Sequence, residues 1–439
     1  MESPLVSFVI ATHNRGGVLV DCLRRTLANG LPLARFEVLV VDNASSDGTA
    51  ALLAGALPQV TVLPLQKNAG PVAKNIAIAR ARGAFVVLLD DDAYPLPGAI
   101  AAMLRHFSDE PRLAAAVFDV TLPDGSHEAS AYPDVFIGAG TGLRMAALRA
   151  VGDPGRALPA EFFMQAEEYD LSYRLIQAGF TLRRFADMPL IHLKTPGARV
   201  GARTTRLDIR NNLYLLAKYV PEPLCHQLAA DWLDRYFRMA TRRDRESPAC
   251  ADSHAVPQQP QSHKRAYLAG AAEGLARWTA RCDQGRHLLS AAAVETIFKP
   301  ALIRERLAGA ARTHSARRLL FADYGKNLFP YFHAAKALGL PVTAVVDDHL
   351  AGVGSGNYRG IPLCTWAEAR DAGYMAGAHP PLVVISNLSP VHAERRAAAL
   401  RRVLPLPVLN LFARPATSAA IQDARFTPES GPPLTPLPS

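Results

Sequence analysis

Two carboxylate clusters stand where a fold would present them to a ligand. Asp90-Asp91-Asp92 follows the apolar run Phe85-Val86-Val87-Leu88-Leu89, so the acids emerge where a buried strand ends. Alternate residues of an extended chain point the same way, so Asp90 and Asp92 address one site and Asp91 another. A hard cation such as Mg²⁺ or Mn²⁺ takes oxygen ligands, typically a carboxylate or two plus substrate phosphates. It would then offset charge on a departing diphosphate. A solvated turn or helix cap would use the same residues. The second cluster is Glu167-Glu168-Tyr169-Asp170-Leu171. Leu171, Leu175 and Ala178 share a helical face, which predicts a helix over 167–178 with both glutamates in its first turn. There the helix dipole favours the ionised form, the form a general base requires. Asp170 and Arg174 are spaced for an i,i+4 surface ion pair.

The elements that must position these residues read as alternating strands and helices. Strands are expected at Val6–Thr12, Phe36–Asp42, Val60–Leu65 and Ala84–Asp90, with helices at Val18–Ala28 and Val72–Arg82. Near-continuous Val/Leu/Phe strands separated by helices predict a mostly parallel sheet covered on both faces. Ligands of such sheets sit beyond the carboxyl ends of the strands. The groups at those ends are Thr12-His13-Asn14, Asp42-Asn43 and Asp90-Asp91-Asp92, which converge on one crevice. Asp42 could also cap the following turn, a task Asp47 fits better.

In order along the chain, SFVIATHNR, FEVLVVDNASSDGT, NAGPVAKNIAIARARGAFVVLLDDDAYP, FIGAGTGLR, FFMQAEEYDLSYRLIQAGF and IHLKTPG with RNNLYLLAKYVP resemble the family-2 glycosyltransferases, whose fold is called GT-A. The resemblance covers roughly residues 5–220. It implies an inverting transferase that takes a nucleotide-diphosphate sugar and a divalent metal, Mn²⁺ or Mg²⁺. By position it implies Thr12, Asn14, Asp42, Lys74 and Asp90 as donor-nucleotide contacts. Asp92, Asp90 and His192 become metal ligands, with Asp92 the direct one and Asp90 nearer the ribose. The motif usually reads Glu-Asp with the second acid as base, which puts Glu168 in that place and Glu167 beside it. Glu replaces the usual Asp here, so the assignment between the two stays open. Gly140 and Asp170 are expected on the sugar or acceptor side, although the Gly138–Gly142 stretch is equally well a structural turn.

Beyond residue 220 a helical connector is expected over 221–314, with a polar linker near 243–264. Residues 315–412 read as a small Rossmann-like α/β domain, and 413–439 as a disordered Pro-rich tail. The first turn of that domain, Asp323-Tyr324-Gly325-Lys326-Asn327, lacks the G-x-G-x-x-G cradle, which counts against an intact dinucleotide site and a sugar oxidoreductase. A non-catalytic sugar-nucleotide-binding scaffold is the other alternative. HKRAYLAGAAEGLARW (263–278) could lie on a membrane surface or pack on the first domain; it lacks the Q-x-x-R-W signature of processive synthases.

The chain has 439 residues, 49% hydrophobic and 20% charged, which suits a two-domain globular protein. No apolar run approaches the roughly 18 residues of a membrane span, and no signal-peptide pattern opens the sequence. Five scattered cysteines without a C-x-x-C pair fit a reducing cytoplasm, possible contact with the inner membrane face aside. The net charge of +9 reads chiefly as solvated arginine surface. Without an aromatic-basic motif, nucleic acid is not an expected partner; a glycan or lipid-linked acceptor is.

Overall fold

A computed structural model describes residues 4–195, 201–246, 262–280, 287–354 and 356–413. The expected linker therefore lies mostly outside the described residues, and the expected tail does so beyond its first residue. The N-terminal part runs β1 (Val6–Thr12), α1 (Gly16–Leu27), β2 (Phe36–Asp42), α2 (Thr49–Ala56), β3 (Thr61–Pro64), α3 (Lys74–Arg80), β4 (Phe85–Asp90), β5 (Ala93–Pro95), α4 (Ala99–Asp109) and β6 (Leu113–Thr121). It continues through β7 (His127–Glu128), β8 (Thr141–Arg144), α5 (Met145–Ala150), α6 (Glu167–Gln177) and β9 (Thr181–His192).

These strands form one sheet in the order β3-β2-β1-β4-β8-β6-β9-β5, with β7 paired to β6. The half from β3 to β4 is parallel, as the unbroken apolar runs predict. The other half is mixed: β8 runs against both β4 and β6, and β5 against β9. Uninterrupted parallel pairing thus ends at β4, where the acids emerge, and returns only between β6 and β9. In the mixed half β5, β7 and β8 are short, β6 is buried almost throughout, and β9 alternates. β9 exposes Thr181, Arg183, Ala186 and Asp187 while burying Leu182, Phe185, Met188 and Leu190.

α7 (Ala202–Tyr219) closes the first domain, and the connector after it is helical: α8 (Leu224–Glu246), α9 (His263–Ala280), α10 (Ala291–Phe298) and α11 (Pro300–Thr313). The outer residues of the expected linker belong to α8 and α9. The 263–278 segment packs on the first domain through two glycines. A Cβ on Gly270 would lie 2.1 Å from the Arg206 carbonyl oxygen, and one on Gly274 would lie 2.6 Å from Leu213. Glycine lets α9 approach the backbone of α7 this closely.

The second α/β unit comprises β10 (Leu319–Ala322), α12 (Leu328–Ala337), β11 (Val342–Val346), β12 (Asn357–Tyr358), β13 (Ile361–Cys364), α13 (Trp366–Asp371), β14 (Leu382–Ile385), α14 (His392–Val403) and β15 (Val408–Leu409). Its sheet order, β12-β13-β11-β10-β14-β15, is parallel except for β12. Order reverses at β10, and the carboxyl ends there open onto a cavity of about 580 Å³ lined in part by Asp323, Tyr324, Asp347 and Arg396. This is where ligands bind in sheets of this kind. The turn above it, however, is occupied by the protein itself. Tyr324 is buried, its N–H donates to Asp347 Oδ2 at 2.9 Å, and Asp347 Oδ1 accepts from the N–H groups of His349 and Leu350.

Candidate active site

The acidic turn after β4 is assembled with β9 by strand pairing. Ala93 stands opposite His192 in the β5–β9 ladder, and the Leu193 N–H donates to the Asp92 carbonyl. The β6–β7 hairpin then brings Glu128 to the other side of the same imidazole. The fully buried His192 lies with Nδ1 2.8 Å from Glu128 Oε2 and Nε2 3.1 Å from Asp92 Oδ1 and 3.8 Å from Asp90 Oδ2. Ligand atoms of Asp90, Asp92 and His192 fall within 4.8 Å of one another. Two carboxylates and an imidazole held by a third carboxylate form a donor set that fits a divalent metal. Burial works against the charged histidine, but its bonds to Asp92 and Glu128 outweigh it and raise the imidazole. Burial likewise opposes ionisation of Asp92; His192, Arg15 and the Thr195 N–H more than compensate and hold it well below the usual carboxylate range.

Asp91 points elsewhere, as alternation predicts. It accepts from Thr12 Oγ1 at 2.9 Å and pairs with Arg15, whose other nitrogen reaches Asp92 Oδ2 at 2.9 Å. Thr12 is thus placed under the acidic turn with its hydroxyl committed to Asp91. Asn14, in a left-handed conformation (φ 54°), accepts from the Ser46 N–H and joins the ends of β1 and β2. Asp42 is buried and accepts from the Ser45 N–H at 2.9 Å, while Asp47 bonds the Thr49 N–H, as the capping reading has it. Lys74 is buried inside the site: its ammonium donates to Asp90 Oδ1 at 3.0 Å and the Gly138 carbonyl at 3.1 Å.

The Glu167-Glu168 helix start is entered through Phe163, Gln165 and Ala166, all with φ between 63° and 71°. Non-glycine residues in that region cost energy and persist where surrounding contacts over-determine them. Asn211 supplies those contacts: its amide donates to the carbonyls of Phe162, Met164 and Gln165 at 3.1, 2.8 and 2.8 Å. From below, Gly70 (φ 74°) lies so close that a Cβ there would sit 2.6 Å from the Phe163 carbonyl oxygen.

Both glutamates are half-buried, and burial outweighs the helix dipole. Desolvation, with lesser contributions from Asp208 and Asp90, pushes Glu168 up to about 7 against the cation of Lys326. Glu167 is raised well above its ordinary value by burial and by Glu168. The expectation that both are simply ionised is therefore corrected: at neutral pH Glu168 is poised between its two states.

Two more corrections concern the acceptor side. Asp170 is buried rather than on the surface, and it is saturated by Arg174, Lys218 and the Tyr219 hydroxyl at 2.9, 2.7 and 2.8 Å. It ties α6 to α7 and leaves no carboxylate oxygen to a sugar. Gly140 is buried in the sheet, where a Cβ would lie 3.0 Å from Leu190 and 3.2 Å from Val120. Packing of β6 and β9 accounts for that glycine. Sequence reasoning missed Arg15, Glu128, Asn211 and Lys326. Asn211 stood within a quoted motif, but nothing in the pattern of Glu128 or Lys326 marks a site residue.

Residues 7–185 match the model of glycosyl transferase family 2, so the N-terminal part of the chain is a domain of that family. Over 126 residues the chain is 35% identical to the succinoglycan biosynthesis protein ExoO of Rhizobium meliloti, covering 28% of this chain and 35% of that one. Over 111 residues it is 31% identical to the poly(ribitol-phosphate) beta-N-acetylglucosaminyltransferase TarS of Staphylococcus aureus, covering 24% of this chain and 19% of the relative. The chain thus spans about a third or less of the length of these curated relatives. Among solved structures, a mannosyltransferase from Pyrobaculum calidifontis in complex with GDP-Man and Mn²⁺ aligns with 76% of this chain and 87% of its own, at 20% identity and a TM-score of 0.40.

Proposed function

We propose that this protein transfers a sugar from a nucleotide-diphosphate donor to an acceptor hydroxyl, with inversion, during synthesis of a cell-surface polysaccharide or glycoconjugate. The observation that carries the reading is the cluster of Asp90, Asp92 and His192, with Asp90 also acting on Glu168, in a chain whose residues 7–185 match glycosyl transferase family 2. The biosynthetic setting follows the names of the exopolysaccharide and cell-wall relatives. Asp92, Asp90 and His192 would hold Mn²⁺ or Mg²⁺, which when bound offsets negative charge on the diphosphate. Glu128 fixes the ring of His192 so that Nε2 faces the carboxylates. Lys74 holds Asp90 from the opposite side. Thr12, Asn14 and Asp42 shape the strand ends against which the nucleotide lies, and Glu168, with Glu167 beside it, takes the proton of the attacking hydroxyl. One attack from the opposite face inverts the anomeric carbon and needs no covalent intermediate.

The connector supports peripheral membrane contact near a lipid-linked acceptor in the cytoplasm. α9 exposes Leu268 (60%) and Leu275 (43%) on a face that also carries Arg265. No helix among the described residues is long and apolar enough to cross a membrane. An oxidoreductase reading has little support: Tyr324 fills the first turn of the second sheet, and Asp347 is spent on backbone groups.

The test is a thermal-shift panel of UDP, GDP, UDP-GlcNAc and GDP-Man, with and without Mn²⁺, on wild type and Asp92→Asn. A ligand of the native state at 100-fold its Kd stabilises by about 2.7 kcal/mol. Stabilisation by one nucleotide that needs Mn²⁺ and is lost in Asp92→Asn is the expected result. An equal response in the variant sinks the metal assignment.

A further inference from the structure

We propose that the second α/β domain completes the transferase site: Lys326, in the turn after β10, crosses into the first domain and presents its ammonium to the turn of α6 that carries Glu168. The proposal rests on reading Glu168 as the base. It begins from where that turn goes. Instead of cradling a ligand above its own sheet, the turn Asp323–Asn327 is clasped by α8: Trp232 Nε1 donates to the Lys326 carbonyl at 3.0 Å, and Arg235 Nε donates to the Tyr324 carbonyl at 3.0 Å. The lysine side chain leaves its domain and enters the first one. Its ammonium donates to Asn212 Oδ1 at 2.9 Å and stands 5.1, 5.4 and 5.6 Å from the ring centres of Tyr169, Trp232 and Tyr236.

Tyr169 directly follows Glu168, so this aromatic box is built against the first turn of α6. Asn212 directly follows Asn211, which holds the strained entry to that same turn. One turn of α7 therefore fixes both the loop that carries Glu168 and the cation presented to it. A purely structural plug would be served by an apolar side chain of the same length. A cation among three rings beside carboxylates bears a desolvation cost that needs an electrostatic reason.

The charged groups around Glu168 give that reason. Glu167 on α6, Asp90 at the end of β4 and Asp208 on α7 each disfavour a further negative charge. Lys326 acts in the opposite direction. Arg235 on α8 bears on the lysine, and Lys74 on Glu167. Burial brings the lysine down to about 8, with Asp208 and Glu168 supporting its charge and Arg235 opposing it. Near neutrality the ammonium is still present to support the carboxylate.

The test uses the full-length protein with ¹³C at the glutamate carboxyls, following the resonance that is absent from Glu168→Gln as pH is varied. An opposite charge a few ångströms away lowers a carboxylate by about one to three pH units. Lys326→Met, which keeps length and packing, is therefore expected to move the Glu168 midpoint upward by about one unit or more. Lys326→Arg should bring it back toward wild type. Should Lys326→Met fail to fold by circular dichroism, Lys326→Gln takes its place. An unmoved midpoint, or an arginine variant displaced as far as the neutral one, overturns the proposal. Turnover of UDP-GlcNAc and GDP-Man with Mn²⁺ in Glu168→Gln tests the underlying reading separately. Turnover retained there overturns the base assignment, whereas lost turnover with an unmoved midpoint in Lys326→Met overturns the role of the lysine alone.

Discussion

At the scale of single residues, the site works by giving neighbouring carboxylates opposite characters. Asp92 is held ionised by Arg15, His192 and a backbone N–H, which suits a ligand. Glu168, starved of water and ringed by other acids, is carried to about 7, which suits a group that must take a proton. The sign of the stability effect follows. Glu168 keeps its proton in the native state up to about 7, whereas the unfolded chain releases it near the ordinary value of 4.5. Native stability therefore falls as pH rises through that window, and the penalty is complete above it. Glu168→Gln cannot ionise, so it should melt higher than wild type at pH values well above 7 by on the order of 2 kcal/mol, with the difference fading near pH 4. The same variant should lose about 10²–10⁴ in turnover. Equal melting temperatures across the pH range would contradict the raised carboxylate.

At the scale of elements, α9 is set against α7 by Gly270 and Gly274 rather than by large side chains. Alanine is the better helix former by about 1 kcal/mol, yet a methyl at Gly270 meets the Arg206 carbonyl at 2.1 Å. Crowding against backbone costs about 1–3 kcal/mol, so Gly270→Ala should lower the melting temperature despite the propensity gain; a rise would show that α9 can back away. Legibility in the sequence also divides by element. β1, β2 and β4 are predominantly apolar and end in polar groups, so their bounds and the acids they present were readable. Within residues 121–195 the helix α6 was readable from its spacing, but the short strands were not. β7 is only His127–Glu128, β8 only Thr141–Arg144, and their places depend on pairing with distant partners. Glu128 has no local pattern to announce it; it becomes a partner of His192 only once β6, β7 and β9 lie side by side. Asp170 misled for the converse reason. Its spacing to Arg174 is real, but Lys218 and Tyr219, which bury the pair, come from a later helix.

At the scale of the whole molecule, the second domain is fastened to α8 through Asp231. Its carboxylate accepts from the Tyr358 hydroxyl at 2.6 Å and from Arg359 Nε at 2.9 Å. Removing one member of a buried pair strands the other. Arg359 keeps 25% of its side-chain exposure, so the cost of Asp231→Ala should be on the order of 2 kcal/mol, below the fully buried case. Calorimetry should show wild type unfolding in one transition and the variant with the second domain melting earlier; a single transition at an unchanged temperature would show that the fastening lies elsewhere.

Adjacent asparagines on α7 hold the loop before Glu168 and the lysine that reaches it from the second domain. The boundary between the two units therefore cuts through shared machinery and gives no place to splice. An engineer who exchanged the second domain for another of the same architecture, joining near residue 315, would keep every residue proposed to hold the donor and still deliver a different side chain to the Asn212 amide. Specificity grafting in this scaffold has to treat the turn 323–327 as part of the first domain and move it with that domain.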